Sequence, residues 1–394
     1  MFGYNSFYFH FLIVYLIYGF FVLAITRKSN RLSFQKSNIG NVNDTWNFCN
    51  VTNSRKRKIF WLSLPLFLLG IFRGDTVGGD LENYLAYFDD FCKLNSFWDT
   101  WYVSTHEPGY QLFTYLISRL SSSHRAFFFF TYVLSLVGPV YLVGKYSKMP
   151  LFSFFLYFSL GFYTNTFNNV RQSIAISICF LAFHFLFKRN FYKYAGMVLL
   201  ATMFHYSAII TLLLYPLVRN KITIKKIILY LTTGVGLYML ASVTILSFFI
   251  NLLAFKYGGM ELAITSESAG FGMMTLYGLV LIGELILYKS PYNSSQENEE
   301  RMSFFIQLQL LALLCQMFAP LFSSMVRMTY YFFIPIIIAI PYMSYAYKPF
   351  RKIMLILCTV LALLYMGKVY SYNEGTNSNS QGVIPYVLVD KVIY

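Results

Sequence analysis

Charge is scarce in this sequence: 12% of its 394 residues are Asp, Glu, Lys or Arg, while 57% are hydrophobic. That balance excludes an ordinary soluble domain, whose core could not hide so much apolar side chain, and makes the bilayer the solvent. Cysteine is scarce too. Cys49, Cys92, Cys179, Cys315 and Cys358 are scattered without metal-ligand spacing, so neither a disulfide framework nor a metal site is expected. Acids are outnumbered, 16 against 31 Lys and Arg, giving a formal charge of +15. In a soluble chain that excess would suggest nucleic acid, but here the cations occupy short loops between apolar runs, the positive-inside pattern, and no nucleic-acid partner is expected. The first apolar run, Phe7 to Ile25, lacks a basic segment before it and a small-residue cleavage site after it, which marks a retained span rather than a signal peptide. No internal repeat is visible, and low complexity is confined to the polar linker from Asn373 to Gly382.

What is abundant is apolar runs of membrane-spanning length, which predict an all-α, polytopic transmembrane helical bundle. The loop at 26–58 carries the run Arg55, Lys56, Arg57, Lys58 and the single acid Asp44, placing it in the cytoplasm. Spans then follow at Phe7–Ile25, Ile59–Phe72, Phe127–Val143, Leu151–Phe167, Ser173–Phe187, Ile227–Phe255, Gly272–Tyr288, Ser303–Phe318, Met328–Tyr347 and Ile353–Tyr370, about ten crossings in one membrane domain covering residues 1–394. The run Tyr194–Val218 is flanked by cations on both sides. It is expected to form a re-entrant or broken hairpin with Phe204, His205, Tyr206 and Ser207 near its tip; the alternative is one long tilted span that breaks the charge rule.

This parity puts residues 73–125 and the tail 371–394 outside. The long segment opens with Arg73-Gly74-Asp75 and Gly79-Asp80 and collects Glu82, Asp89, Asp90, Asp99 and Glu107. After Glu107-Pro108 the apolar residues Tyr110, Phe113, Ile117 and Leu120 recur at helical spacing, predicting an amphipathic helix at the outer interface. Arg73, Arg171 and Arg327 fall at outer ends of spans, against the charge bias. Arginine's planar donor fork matches phosphate oxygens, so these three can clamp a pyrophosphate; alternatively each pairs with a nearby acid such as Asp75 or Asp80 or reaches a headgroup. His205 is a general base, a positioning group, or a histidine satisfying backbone at a helix break. Glu284, within a span, is expected to pair with a cation on the cytoplasmic side. The outer aromatics Trp98, Trp101 and Tyr102 suit sugar stacking or the interfacial belt.

The ordered set Arg73-Gly-Asp75, Gly79-Asp80 with Tyr84 and Tyr87, Glu107-Pro-Gly-Tyr110, Arg171-Gln-Ser-Ile-Ala175, Phe204-His205-Tyr-Ser207 and Arg327-Met-Thr-Tyr-Tyr331 resembles the EpsG family of Wzy-type polysaccharide polymerases over residues 60–345. The resemblance implies a bacterial inner-membrane glycosyltransferase. It would join repeat units on the periplasmic face, using undecaprenyl-pyrophosphate-linked oligosaccharides as donor and acceptor, with a chain-length regulator as a partner. Such chemistry needs no cofactor if Arg171 and Arg327, assisted by Arg73, hold the donor pyrophosphate. The acceptor hydroxyl needs a base, for which Asp80, His205, Asp75 and Glu107 are the candidates. A flippase of lipid-linked oligosaccharide and an O-antigen ligase would make similar demands on the site.

Overall fold

The computed structural model describes residues 6–29, 52–218, 220–242, 271–289, 296–322, 324–371, 379, 381–388 and 391–392. It is helical except for one short strand pair, and it divides into two compact units, Met1–Ile209 with Ile337–Tyr394, and Ile210–Ile336.

In the first unit, α1 (Ser6–Ser29) and α2 (Asn53–Ile71) are joined by buried tyrosine, the Tyr15 hydroxyl donating to the Leu62 carbonyl at 2.8 Å. Thr52 caps α2 by accepting from the Arg55 N–H. Between α2 and the next long helix lie α3 (Leu81–Lys93), the single turn α4 (Thr100–Val103) and α5 (Pro108–Leu120). The predicted amphipathic helix is therefore present. Its buried face is Tyr110, Gln111, Thr114 and Ile117, whereas Leu120 is exposed.

Next, α6 (His124–Tyr146) crosses closely against the later helix over Val170–Phe187: a Cβ on Gly138 would lie 2.2 Å from the Ser177 carbonyl oxygen, and the Gly138 N–H donates to the Ser177 hydroxyl at 2.7 Å. Small residues at a crossing let backbones approach, as membrane helix packing requires. The run Leu151–Phe167, expected as one span, is instead α7 (Pro150–Ser159) and α8 (Phe162–Asn168), broken at Gly161, whose φ of 71° is the left-handed conformation that ends helices. Then come α9 (Val170–Phe187) and α10 (Phe191–Thr202), the latter capped by Asn190. The helical path breaks at Met203–His205, where the hairpin tip was expected, and resumes as a 3-10 segment, Tyr206–Leu213, and α11 (Leu214–Leu217).

The second unit, which begins within the 3-10 segment and so includes α11, contains α12 (Ile224–Ser242), α13 (Phe271–Tyr288), α14 (Gln296–Met317) and α15 (Ser324–Phe333); α12, α13 and α14 pack around Ile222, Ile227, Leu281, Ile306 and Leu310, and α15 packs against α14. Buried glutamines on α14 satisfy chain ends: the Gln307 amide donates to the Leu217 and Asn220 carbonyls at 3.2 and 3.0 Å. The chain returns to the first unit through α16 (Ile336–Ala346) and α17 (Arg351–Val369). It closes with a strap at 381–388 whose β1 (Val387–Leu388) pairs with β2 (Lys391–Val392).

Among the described residues, five helical stretches are long and apolar enough to cross a membrane: Phe7–Thr26, His124–Tyr146, Val170–Phe187, Ser324–Ala346 and Lys348–Val369. That is fewer than the crossings expected from runs of hydropathy. The Leu151–Phe167 run is broken at Gly161, the helix beginning at Asn53 carries four successive cations, and the second half of the Ile227–Phe255 run lies outside the described residues.

Candidate functional site

Glu107 occupies the N-cap position of α5 in extended conformation, with Pro108 in the first turn. Proline there is pre-set for the helix, and its missing N–H is one that a helix start leaves unpaired anyway. The Glu107 carboxylate makes no cap bond and is directed elsewhere. Its Oε2 accepts from Arg171 Nη1 at 2.5 Å, and its Oε1 lies 2.9 Å from His205 Nδ1 and accepts from the Tyr206 N–H at 3.3 Å. The side chain is 3% exposed, against 22% for Arg171 and 16% for His205.

Two local devices set this meeting. The Met203 carbonyl, at the break after α10, accepts from the Gly109 and Tyr110 N–H groups at 2.8 and 3.3 Å, and a Cβ on Gly109 would sit 2.8 Å from that same oxygen. Glycine is needed where one backbone approaches another this closely. On the other side of Glu107, the buried Gln111 amide donates to the His106 carbonyl at 2.6 Å, while its carbonyl accepts from the Thr100 hydroxyl at 2.9 Å. The loop before α5 is thus stapled from both directions.

Burial opposes ionisation of Glu107, but the hydrogen bond from His205 and the charge of Arg171 prevail and hold its carboxyl at about 2. It is a carboxylate at any ordinary pH and accepts only. His205 must therefore carry its proton on Nδ1, which in the neutral ring leaves Nε2 as an acceptor. His106 behaves oppositely: burial, aided by Arg171, lowers it to about 4, so its ring is neutral. It packs at 4.5 Å against Tyr87 and at 5.6 Å against Tyr110. The Tyr84 hydroxyl is a second partner of Arg171.

The other expected site residues lie elsewhere. Arg73, expected to assist in holding pyrophosphate, is 0% exposed. Its Nη1 donates to the Val77 and Phe167 carbonyls, each at 3.1 Å, and its guanidinium lies over the Phe128, Tyr132 and Phe167 rings. A cation so enclosed cannot touch a ligand. Nor does it pair with Asp75, whose carboxylate binds Arg125 and His124. Asp80 is exposed at the start of α3 and forms no cap bond. Arg327 is exposed on α15, in the second unit. Glu284 departs from its expected ion pair: it is 2% exposed and, among the described residues, its Oε2 has no hydrogen-bond partner. Missing from the sequence-based site were His106, whose apolar ring neighbours give no sequence signal, and the strap at 381–388, which was expected only as part of the outer tail.

No curated protein and no solved structure matches the chain. The sequence model of the EpsG family matches residues 49–388, from the end of the basic loop through the strap. With its apolar helices, that match makes this a membrane protein, and over most of its length the chain belongs to the EpsG family.

Proposed function

We propose that this chain is a membrane glycosyltransferase that polymerises a polysaccharide, transferring a growing glycan from undecaprenyl pyrophosphate to a lipid-linked repeat unit at the periplasmic face of a bacterial inner membrane. Family membership supports the class of activity. The observation that carries the mechanism is the Glu107 carboxylate, buried between Arg171 and His205.

In this reading Glu107 is a positioning residue. It fixes the His205 tautomer and ring orientation, much as an acid orients a histidine base in hydrolytic triads. His205 Nε2 takes the proton of the acceptor hydroxyl as its oxygen attacks the anomeric carbon. The new C–O bond forms while the bond from that carbon to the pyrophosphate oxygen breaks, and the electron pair leaves with the pyrophosphate. Arg171 donates to the departing phosphate oxygens, stabilising charge that exists only as the bond breaks. A chain-length regulator is the proposed protein partner.

The test replaces Arg171 or His205 in a strain lacking the native protein and scores glycan length at the cell surface. R171A and H205Q, well expressed, are expected to leave single capped repeat units, with R171K recovering part of the length because lysine lacks the planar fork. Normal long polymer from R171A or H205Q would sink the mechanism. Loss of all surface glycan would favour a transporter of lipid-linked oligosaccharide.

A further inference from the structure

The first turn of α6 holds two basic residues, His124 and Arg125, and no acid, although the positive end of a helix dipole favours anions. Other elements bring the acids to it. His124 Nδ1 lies 2.6 Å from Asp75 Oδ2, in the loop after α2, and its Nε2 lies 2.9 Å from Asp89 Oδ1, on α3. Arg125 Nη2 donates to the other Asp75 oxygen, and its Nη1 donates to the Ile71 carbonyl at 3.0 Å. The imidazole packs 6.2 Å from the Phe88 ring, which in turn lies 5.2 Å from Phe127. One side chain thus joins the loop, α3 and α6.

Both ring nitrogens face acid oxygens. A carboxylate accepts and cannot donate, whereas a neutral imidazole has one N–H and one lone pair, which would point at one of the two acids. Both bonds form together only in the imidazolium. The ring is 28% exposed, with Asp75 at 44% and Asp89 at 50%, so its protons exchange with solvent. The charged groups of the neighbouring elements have other engagements. On α3, Cys92 and Lys93 lie near Asp89, and Lys93 pairs with Asp90 at 2.9 Å. On α5, Arg119 donates to the Phe91 carbonyl at 2.7 Å, and on α9, Arg171 is bound to Glu107. The last turn of α2 and the whole of α7 carry no charged side chain.

We propose that His124 is a proton-operated latch: protonated, it bridges Asp75 and Asp89 and ties the C-terminal half of α3 to α6, and loss of one ring proton breaks the bridge and loosens α3. Whichever nitrogen is deprotonated, the ring no longer spans both acids and its charge no longer attracts either. The tie is therefore present at acid pH and is lost as pH rises. The same helix supplies Tyr84 to Arg171 and Tyr87 to the His106 ring, so the latch sets how firmly both are held. The inference does not depend on the proposed chemistry.

Hydrogen exchange of the full-length protein in detergent micelles, read by mass spectrometry and corrected for the intrinsic rate, gives protection factors for α3 and, as a reference, α9. Measurements at about pH 5.5 and about pH 9 bracket histidine titration. Wild-type protection in α3 should fall about three- to fivefold relative to α9 between the two, the effect of a bridge among part-exposed charges. H124R, whose guanidinium stays charged and can donate to two acids, should keep the higher protection at both pH values. H124Q should show the lower protection at both. Equal wild-type protection of α3 at the two pH values, an H124R that loses protection as the wild type does, or an H124Q as protected as the wild type at about pH 5.5 would each overturn the latch.

Discussion

Replacing Glu107 with Gln keeps the shape of the side chain and removes its charge, leaving Arg171 without a carboxylate. The carboxyl is held at about 2, against an ordinary 4.5, which corresponds to about 3 kcal/mol of stability at neutral pH. With a 3% exposed carboxylate, little is subtracted for solvent screening, and the figure agrees with the roughly 3–5 kcal/mol lost when one partner of a buried ion pair is removed. Because the folded-state value is depressed, this stability is fully present above the unfolded value and is lost as pH falls from there toward about 2. The advantage of wild type over E107Q should therefore be about 3 kcal/mol at pH 7, about 1 kcal/mol at pH 3, and near zero at the folded-state value. Denaturant unfolding in detergent micelles, followed by tryptophan fluorescence, measures it. A difference under about 0.5 kcal/mol at pH 7, or one that does not shrink between pH 5 and 3, would refute the reasoning. The companion variant E107L/R171M should be less destabilised than E107Q, since a buried pair replaced whole leaves no orphan charge, yet it should make no long polymer.

Three glycines give sharper packing tests. G109A places a methyl 2.8 Å from the Met203 carbonyl oxygen; it should cost about 1–3 kcal/mol and shorten polymer by displacing the loop that carries Glu107. G138A meets the Ser177 backbone at 2.2 Å, so α6 and α9 must separate, and thermal unfolding should show a larger loss than G109A. G382A combines a φ of 64° with a Cβ 2.5 Å from the Gly79 nitrogen. Limited proteolysis should then cut the strap before the helices, where the native chain resists.

Legibility in the sequence followed the range of the interaction. The α5 helix was readable because Pro108 and the spacing of Tyr110 and Ile117 are local signals, but the burial of Gln111 and Thr114 was not. Gln111 is buried to hold the loop around His106, a tertiary demand. Gly161 sits in an apolar run that reads as continuous helix. It is held in its break by contacts from the far end of the chain, the Gln381 amide donating to its carbonyl at 3.3 Å. Glu107, Arg171 and His205 could each be singled out as unusual residues, yet they meet across 64 and 98 positions of sequence, and no periodicity encodes that. Asp75 and Asp80 carried the same sequence signal as Glu107; the structure commits Asp75 to Arg125 and His124 and leaves Asp80 at the surface.

The enclosed Arg73 shows why a buried cation near this site needs no acid beside it. Its guanidinium faces the C-terminal end of α8 through the Phe167 carbonyl, where a helix leaves unpaired acceptors and carries partial negative charge. Aromatic faces at 4.7 to 5.2 Å supply the rest of the attraction. The strap reinforces the same helix end, since the Asn168 amide donates to the Gln381 carbonyl and the Gly78 N–H to the Gly382 carbonyl. The helix end so clamped is followed at once by α9 and Arg171. A guanidinium that must meet a buried carboxylate needs its backbone held closely in place. Arg73 and the strap supply that rigidity from the interior. The two arginines expected to act alike therefore differ in setting: Arg73 directs its donors inward to hold a helix end, and Arg171, part exposed, pairs with the Glu107 carboxylate.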